Sequence, residues 1–322
     1  MNKVFVSGGA GFIGSHICDR LIERGDRVIC FDNLMTGDEG NISHLSGEEG
    51  FQFVKGDIRN LQEISEAMNG CTHVCHQAAL GSIPRSIENP LLSNEINICG
   101  SLNVLVEAMK IGVKRFVFAS SSSVYGDNSE EMKRELETGN ELSPYAITKS
   151  TFEDYSRVFN RINGIETIGL RYFNVFGPRQ SPKGAYAAVI PIFMKNLLAA
   201  ERPTIFGDGK QTRDFTYVQN TVDANIMALF GKNKDAFGRC FNVACGKSFS
   251  INEMFVLIKK YLSESGKIEG AIDPIFAPPR EGDIRDSLAD LSEIERCIGY
   301  TPKITVEEGI EDTTRWFIEC YE

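Results

Sequence analysis

The sequence KVFVSGGAGFIGSH at positions 3–16 decides the fold of this chain. Its apolar start predicts a buried strand, and the apolar residues that recur at helical spacing after it predict a helix that ends near Gly25. Gly8, Gly11 and Gly14 lie between the two elements. Glycine permits a tight turn and lets the backbone approach a pyrophosphate, while the free N–H groups at the helix N-terminus favour an anion. The stretch therefore predicts a dinucleotide-binding turn between the first strand and the first helix.

The first half of the chain continues to alternate between short apolar runs and helical patterns. The apolar runs after the first strand are RVICFD, FQFVKGD, THVCHQAA, RFVFASSSSVYG and ETIGLRYFNVFG. Helices are predicted near 61–69, over 93–111 and around 144–149. Continuous Val, Ile and Phe runs joined by helices are typical of a parallel sheet that is covered on both faces. We therefore predict an α/β protein with a Rossmann-type, doubly wound parallel sheet.

The sequence changes character after about residue 177, where loops rich in Pro and Gly separate shorter elements. We predict a dinucleotide-binding domain over 1–177, with a returning segment near 214–235. A smaller mixed domain over 178–322 is predicted to face the substrate. The strongly charged stretch NSEEMKRELETGNEL at 128–142 is predicted to be a solvated surface loop or helix.

Composition and charge exclude several classes of function. The chain has 322 residues, is 42% hydrophobic and carries a net charge of -10. Nucleic-acid and membrane-surface proteins need clustered positive charge, so neither partner is expected. The N-terminus runs straight into a strand, no segment has 18 apolar residues in succession, and the odd number of cysteines, nine, suits a reducing compartment. We expect a cytoplasmic protein.

One cluster of cysteines and histidines has two interpretations. Cys71, His73, Cys75 and His76 lie within CTHVCHQAA. In a strand the first three share one face and His76 points to the other, and no convergent fourth ligand for zinc is evident nearby. A buried parallel strand is therefore favoured over a metal site, and no metal is expected.

Acidic residues at two strand ends indicate which dinucleotide is bound. Asp32 ends the second predicted strand, where a carboxylate accepts hydrogen bonds from both ribose hydroxyls and repels a 2′-phosphate. This favours NAD over NADP. Asp57 and Ile58 close the third predicted strand, where the adenine is expected.

The stretch SPYAITK at 143–149 is a candidate for the catalytic pair. Ser143 and Pro144 are typical of a helix N-cap and first turn, and Tyr145 and Lys149 then fall on one face, a single turn apart. Oxidation of an alcohol needs a base, and a free tyrosine with a pKa near 10 is a poor one at neutral pH. A lysine ammonium one turn away, together with a cationic nicotinamide ring, favours the phenolate. The serines at 120–123 end the preceding strand and can relay the proton.

These motifs together resemble the extended short-chain dehydrogenase/reductase family of nucleotide-sugar epimerases and dehydratases. The segments GGAGFIGSH, FDNL, GDI, HQAA, SSSSVYG, SPYAITK, RYFNVFGPRQ, RDFTYV and REGD occur in the order that the family has, over almost the whole chain. The ordered set is far more specific than any one member. The resemblance implies an NAD-dependent enzyme that acts on a nucleotide sugar, as a homodimer.

The resemblance also assigns roles to individual residues. It implies Ser121 as the proton-relay serine, Tyr145 as the base and Lys149 as its partner on the nicotinamide ribose. The cofactor contacts that it implies are Gly8, Gly11, Phe12, Ile13, Gly14, Asp32, Asn33, Asp57, Ile58, Gln77, Ala78, Ala79, Tyr145, Lys149 and Tyr172. The implied substrate contacts are Gly81, Ser82, Ser121, Ser122, Ser123, Tyr145, Asn174, Ala188, Val189, Arg213, Arg280, Asp283 and Ser287. Arg213 and Arg280 suit a diphosphate because guanidinium groups pair with phosphate oxygens in a planar fork.

Four features indicate which member of the family the chain resembles. The run SSSSVYG lacks the acidic pair of the dehydratases, and the segments LGSIPRS and GPRQSPKGAYAAVIP are similar to those of bacterial polysaccharide UDP-N-acetylhexosamine 4-epimerases. Ser287 lies where epimerases restricted to plain hexoses have a tyrosine, and Gly81 lies where they often have a longer side chain. Both leave room for a 2-acetamido group.

The expected activity is the interconversion of UDP-N-acetylglucosamine and UDP-N-acetylgalactosamine on tightly bound NAD. The nearest alternative is a UDP-glucose/UDP-galactose 4-epimerase, including one that acts on both plain and N-acetylated sugars. Net oxidation, reduction or decarboxylation of a nucleotide sugar is a different enzymatic outcome. A catalytically silent NAD-binding regulator is a further alternative, against which the intact Ser, Tyr and Lys set argues.

Overall fold

The central element of the protein is a seven-stranded parallel sheet. The computed structural model describes residues 2–182, 188–268, 270, 272–279 and 285–321. The strands are β1 (Lys3–Ser7), β2 (Arg27–Asp32), β3 (Phe51–Lys55), β4 (His73–His76), β5 (Arg115–Ser121), β6 (Met132–Lys133), β7 (Glu166–Tyr172), β8 (Val175–Phe176), β9 (Thr204–Phe206), β10 (Thr212–Asp214), β11 (Thr216–Tyr217), β12 (Arg239–Val243), β13 (Ser248–Ser250), β14 (Ile275–Ala277) and β15 (Leu288–Ala289). The order in the central sheet is β12-β7-β5-β4-β1-β2-β3. The predicted α/β fold with a doubly wound parallel sheet is confirmed.

Helices cover both faces of this sheet. The helices of the described residues are α1 (Phe12–Glu23), α2 (Leu61–Met68), α3 (Ile83–Glu88), α4 (Pro90–Asn94), α5 (Ser101–Lys110), α6 (Pro144–Asn163), α7 (Val189–Leu198), α8 (Val218–Phe230), α9 (Ile251–Glu264), α10 (Ser292–Ile298) and α11 (Val306–Tyr321). A π-helical segment, Glu95–Gly100, joins α4 to α5. Among the described residues, no helix combines the length and the apolarity that crossing a membrane requires.

Successive side chains of β1 point to opposite faces of the sheet and pack into two separate hydrophobic cores. Val4 and Val6 pack with α1 and α8 on one face, whereas Phe5 packs with α2, α5 and α6 on the other. All three side chains are completely buried. A strand that is buried on both faces has apolar residues in succession rather than in alternation, which is why the parallel sheet was readable from the sequence.

The order of the strands determines where a ligand can bind. The chain proceeds from β1 outward to β2 and β3, and then crosses back to β4 on the other side of β1. The loops after β1 and β4 therefore diverge and leave a crevice at the carboxyl edge of the sheet. All the predicted motifs at strand ends face this edge.

The chain beyond residue 177 contributes both to the sheet and to a separate set of small elements. The helix α8 packs on β4, β5 and β7, and β12 pairs in parallel with β7 as the last strand of the sheet. The other elements form two-stranded pairs, such as β9 with β14 and β10 with β13. The division into two domains stays a prediction.

The charged stretch at 128–142 is only partly solvated, which corrects the prediction of a surface segment. Within it, β6 pairs with β15, and the side chains of Lys133 and Glu135 are buried. The Lys133 ammonium donates to the backbone carbonyl of Asn128 over 2.7 Å. Glu135 accepts from the backbone N–H of Asn242 in β12 over 3.0 Å. Their charges are tolerated inside because backbone groups satisfy them.

Candidate active site

The turn between β1 and α1 is held by glycines for steric reasons. Gly8 has a φ of 69°, and a Cβ on it would lie 2.6 Å from the backbone nitrogen of Ala78. A Cβ on Gly14 would lie 2.1 Å from the carbonyl oxygen of Gly8. Gly11 is the N-cap of α1 and offers no side chain to its first N–H groups. The helix therefore starts against the strand end with N–H groups free for an anion.

A cleft of about 640 Å³ opens at this turn, and we refer to it as the nucleotide cleft. Its volume lies in the range of cofactor-binding pockets. It is lined by all the residues predicted to contact the cofactor: Gly8, Gly11, Phe12, Ile13, Gly14, Asp32, Asn33, Asp57, Ile58, Gln77, Ala78, Ala79, Tyr145, Lys149 and Tyr172. Their individual contacts with a cofactor stay predictions.

Asp32, at the end of β2, has a buried carboxylate in which each oxygen accepts only one hydrogen bond. One oxygen accepts the N–H of Leu34 over 2.8 Å, and the other accepts the N–H of Ala10 over 3.1 Å. Each carboxylate oxygen has a second lone pair, so both ribose hydroxyls can still be accepted. Burial raises the pKa of Asp32 above its ordinary value of 3.8, and the two backbone hydrogen bonds oppose that rise.

Asp57, at the end of the cleft where the adenine is predicted, is a second acid, and its pKa is shifted in the opposite direction. Asp57 accepts a hydrogen bond from the Arg59 guanidinium over 2.7 Å and another from the side-chain amide of Asn33 over 2.8 Å. The hydrogen bond from Arg59 lowers the pKa of Asp57 to about 2. Asp57 therefore remains ionised throughout the physiological range and fixes Asn33 at the cleft wall.

The opposite wall is formed by the segment after β4 and by β7. The Tyr172 hydroxyl donates to Gln77 Oε1 over 3.0 Å, and the amide of Gln77 donates to Asn225 Oδ1 over 3.1 Å. Asn225 is completely buried on α8 and also donates to the Tyr172 hydroxyl over 2.8 Å. This network fixes the ring of Tyr172 in the wall of the cleft.

The predicted catalytic pair lies on the first turns of α6, as the sequence indicated. Ser143 accepts the N–H of Ala146 as the N-cap, and Pro144 occupies the first turn. The Lys149 ammonium lies 5.8 Å from the ring centroid of Tyr145 and donates to the carbonyl of Ala119 over 2.7 Å. The pair therefore faces the end of β5.

Burial shifts the pKa values of Tyr145 and Lys149 in opposite directions. It raises the pKa of the Tyr145 phenol, while a hydrogen bond with Ser121 lowers it. It lowers the pKa of the Lys149 ammonium to about 8, while the charge of Glu153 raises it. Each charged form is disfavoured alone, so phenolate and ammonium are stable here chiefly as a pair.

Of the predicted serines, Ser120 lines the nucleotide cleft beside this pair, whereas Ser121, Ser122 and Ser123 are not part of its lining. They form a short helical turn, Ser122–Tyr125, in which Ser121 Oγ accepts the N–H of Ser123 over 3.1 Å. The Ser123 hydroxyl is buried and has no hydrogen-bond partner in the described part of the protein. A buried hydroxyl without a partner is costly, so it is available to a ligand.

The remaining predicted substrate contacts are distributed over several loops. Gly81 and Ala188 line the cleft, whereas Ser82 caps α3 and Val189 begins α7. The amide of Asn174 donates to the carbonyl of Asp214 over 3.1 Å, the Arg213 guanidinium donates to the carbonyl of Thr212 over 2.7 Å, and Ser287 is buried. Arg280 and Asp283 lie outside the described residues.

Sequence reasoning missed several residues that line the cleft or support it. They include Met35, Thr36, Arg85 and Gln180 in the lining. Gln180 belongs to the quoted segment GPRQ, so that motif was the available signal, whereas Asn225 on the distant helix α8 had none. Among the described residues, no group of three or more His, Cys, Asp and Glu side chains is arranged to hold a metal ion. His73, Cys75 and His76 lie in β4, which confirms a buried strand there. Cys71 precedes the strand and packs in a different core cluster from Cys75, so the prediction that the two share a face is wrong.

The residues present fit a bound dinucleotide. The glycine turn lets α1 begin close against the end of β1, the free N–H groups of α1 suit a pyrophosphate, and Asp32 keeps two acceptor positions for ribose hydroxyls. The carboxylate also repels a 2′-phosphate, which favours NAD over NADP.

Comparisons with known proteins agree with this geometry. A sequence profile of the NAD dependent epimerase/dehydratase family matches residues 4–244. A putative UDP-glucose 4-epimerase of Methanocaldococcus jannaschii is 41% identical over 316 residues, which cover 97% of each chain. A UDP-N-acetylglucosamine 4-epimerase of Methanobrevibacter ruminantium, solved with UDP-N-acetylmuramic acid, is 38% identical and has a TM-score of 0.91 over 99% of this chain and 98% of its own. The Thermus thermophilus UDP-glucose 4-epimerase, solved with NAD, is 34% identical and has a TM-score of 0.87 over 99% of both chains.

The raised pKa of Asp32 predicts that NAD binding weakens in mildly acidic solution. Protonation removes a charged acceptor from the ribose, and it occurs at a higher pH than for an ordinary aspartate. Titration of NAD into nucleotide-free protein should show affinity falling as the pH is lowered from about 7 to about 4. Asp32→Asn should bind NAD about 10-fold to 100-fold more weakly, with little dependence on pH. A variant with the pH dependence of the parent protein would contradict this role.

Proposed function

The chain belongs to the NAD dependent epimerase/dehydratase family, and from this premise we propose that it interconverts UDP-N-acetylglucosamine and UDP-N-acetylgalactosamine. The route is oxidation at C4, rotation of the 4-keto sugar about its link to the diphosphate, and reduction on the opposite face. The observation that carries the proposal is the pair of Tyr145 and the buried Lys149, with Ser121 hydrogen-bonded to the phenol, in the lining of the nucleotide cleft. The product belongs to polysaccharide biosynthesis in the cytoplasm, where the nine free cysteines are consistent with a reducing environment.

Bound NAD would supply the hydride acceptor for oxidation of the sugar carbon and the hydride donor for its reduction, with no net oxidation. Tyr145 accepts the proton of the sugar hydroxyl as the phenolate and later gives it back. Ser121 bridges the substrate oxygen and the phenol. Lys149 stabilises the phenolate, because burial makes the ammonium costly until an opposite charge lies beside it. Asn174 and Arg213 are proposed to hold the diphosphate, together with Arg280, and Asp283 the ribose of the uridine.

The space at the sugar end supports an N-acetylated substrate. Gly81 is exposed, and a Cβ added to it would meet nothing within 4 Å. Ser287 presents a small side chain, and its carbonyl is held by the N–H of Asp214 over 2.9 Å. We propose that these two small residues bound the acetamido pocket; Gly81 lines the nucleotide cleft, whereas Ser287 is buried outside its lining.

A homodimer is part of the same proposal, and an apolar surface supports it. Ile147, Val158 and Ile162 are exposed on α6, and Ile87 and Leu91 are exposed on α3 and α4, which pack beside it. A contiguous apolar surface of this kind marks an interface. The face lies on the helix of the catalytic pair, so association would also stabilise the site.

The activity is tested by proton NMR of the purified protein with UDP-N-acetylglucosamine or UDP-glucose and no added cofactor. We expect the anomeric signal of the N-acetylgalactosamine product to appear. Tyr145→Phe should lower turnover about 1,000-fold with NAD still bound, because a positioned base is lost. Tyr261→Phe, on α9, is the control and should be active. A product of changed mass, steady release of NADH, or full activity of Tyr145→Phe would refute the scheme.

The size of the sugar pocket is tested by Ser287→Tyr. The larger ring should fill the proposed acetamido space and lower kcat/KM for UDP-N-acetylglucosamine about 100-fold more than for UDP-glucose. Ser292→Tyr, at an exposed position on α10, serves as the control. Equal loss on both sugars, or no loss, would remove Ser287 as the size determinant and favour the UDP-glucose alternative.

Dimerisation is tested by analytical ultracentrifugation. The parent protein should sediment with the mass of two chains, and Val158→Glu should sediment with the mass of one, since it buries a charge in the interface. Val256→Glu, which changes an exposed valine on α9, should stay dimeric. A parent protein with the mass of one chain would contradict the proposal.

A further inference from the structure

A buried carboxylate one helical turn beyond Lys149 connects the catalytic helix to the sheet. Glu153 lies on α6, and its side chain is 10% exposed. It accepts two hydrogen bonds from the Arg171 guanidinium of β7, over 2.9 and 2.7 Å. It also accepts the hydroxyl of Ser120 in β5. One carboxylate therefore fixes α6 against two neighbouring strands.

Ser120, whose hydroxyl donates to Glu153, lies between two residues of β5 that contact the catalytic pair. Ala119, before Ser120, supplies the carbonyl that accepts the Lys149 ammonium over 2.7 Å. Ser121, after it, supplies the hydroxyl that is hydrogen-bonded to Tyr145. A carboxylate at this place can therefore influence both the geometry and the charge of the catalytic pair.

We propose that Glu153 is a positioning residue of the active site, which keeps Lys149 in the ammonium form so that Tyr145 is the group that loses the proton. The proposal rests on the proposed function in that it assigns the base role to Tyr145. Glu153 itself does not reach the cleft lining and takes no part in the chemistry. It acts through Lys149.

The reason lies in how two coupled groups share one proton. When the pair has lost a single proton, it exists either as phenolate with ammonium, which is active, or as phenol with neutral amine, which is not. The two forms carry equal net charge, so pH cannot select between them and only the surroundings can. Glu153 lies about 6 Å along the helix axis from Lys149 and about 12 Å from Tyr145. Its negative charge therefore favours the ammonium more than it disfavours the phenolate.

The other groups around the pair do not titrate in the relevant range. Burial lowers the pKa of His76 in β4 to about 3, so this imidazole is neutral. Burial raises the pKa of the Cys240 thiol in β12 well above its ordinary value. Arg171 remains charged and is paired with Glu153. Without a cofactor the Lys149 ammonium, with a pKa of about 8, loses its proton before the Tyr145 phenol, whose pKa is raised. A nicotinamide cation would favour the phenolate, and the charge of Glu153, which raises the pKa of Lys149, favours the ammonium.

The test measures the phenolate of Tyr145 in NAD-loaded protein without any sugar. Ultraviolet absorbance of the phenolate is recorded from about pH 6 to about pH 10, and the matching Tyr145→Phe protein is subtracted to remove the other tyrosines. In Glu153→Gln we expect the phenolate amplitude to fall at least about threefold and the midpoint to move down by up to about one pH unit. Both effects follow because Lys149 then releases its proton more readily than Tyr145.

Two variants distinguish this effect from simple loss of structure. Glu153→Asp keeps the charge and should restore most of the amplitude. Glu166→Gln breaks a comparable pair with the buried Arg115 at the other end of β7, where the ion pair measures 2.7 Å, and should leave amplitude and midpoint unchanged. If Glu153→Gln does not fold, the double variant Glu153→Gln/Arg171→Gln removes both buried charges and should show the same direction of change.

An amplitude and a midpoint equal to those of the parent protein in Glu153→Gln would overturn the proposal. So would a smaller amplitude at an unchanged midpoint, because a lost folded fraction gives that pattern. Since no sugar is present, the result is independent of which UDP-sugar is the substrate. A titration that behaves as expected in a protein that converts no UDP-sugar would contradict the proposed function alone.

Discussion

The close approach of Gly14 to the carbonyl of Gly8 is the constraint on which the rest of the site depends. A Cβ on Gly14 would lie 2.1 Å from that oxygen, so α1 can begin against the end of β1 only if this position has no side chain. The contact places the N-terminus of α1 at the carboxyl edge, beside the crevice that the strand order creates. Asp32, Gln77 and Lys149 then reach one cleft because the strands and loops that carry them end at that edge.

Burial provides the second organising effect, and it acts on charges rather than on shape. Burial disfavours the charged form of both Tyr145 and Lys149, so either charge is costly unless an opposite charge lies beside it. A tyrosine on the surface would gain little from a lysine one turn away, since water screens the interaction. The sheet supplies the burial, and α6 supplies the spacing. Base strength is therefore a property of the fold as much as of the two residues.

Local sequence predicted the parts of the site that are determined locally. The glycine turn, the acid at the end of β2 and the N-cap at Ser143 each depend on neighbours within a few residues, and they are where the sequence placed them. The sheet's edge strand β12 was not predicted, because RCFNV has polar residues where a buried run is expected. Its Asn242 is buried and binds the backbone of Lys133 and Asp290, so long-range hydrogen bonds replace the missing apolar signal. Glu135 was assigned to the surface for the same reason.

The sugar end is assembled differently from the cofactor end. Gly81, Ala188 and Ser287 come from three distant parts of the chain, and no single motif relates them. Ser287 is held through Asp214, a completely buried carboxylate that also accepts the N–H groups of Cys245 and Gly246 over 2.9 and 3.0 Å. Because the backbone is fixed there, the side chain at 287 can change in size without moving the phosphate turn or the tyrosine helix. Under the proposed function, this separation lets the size of the sugar pocket vary independently of the cofactor site.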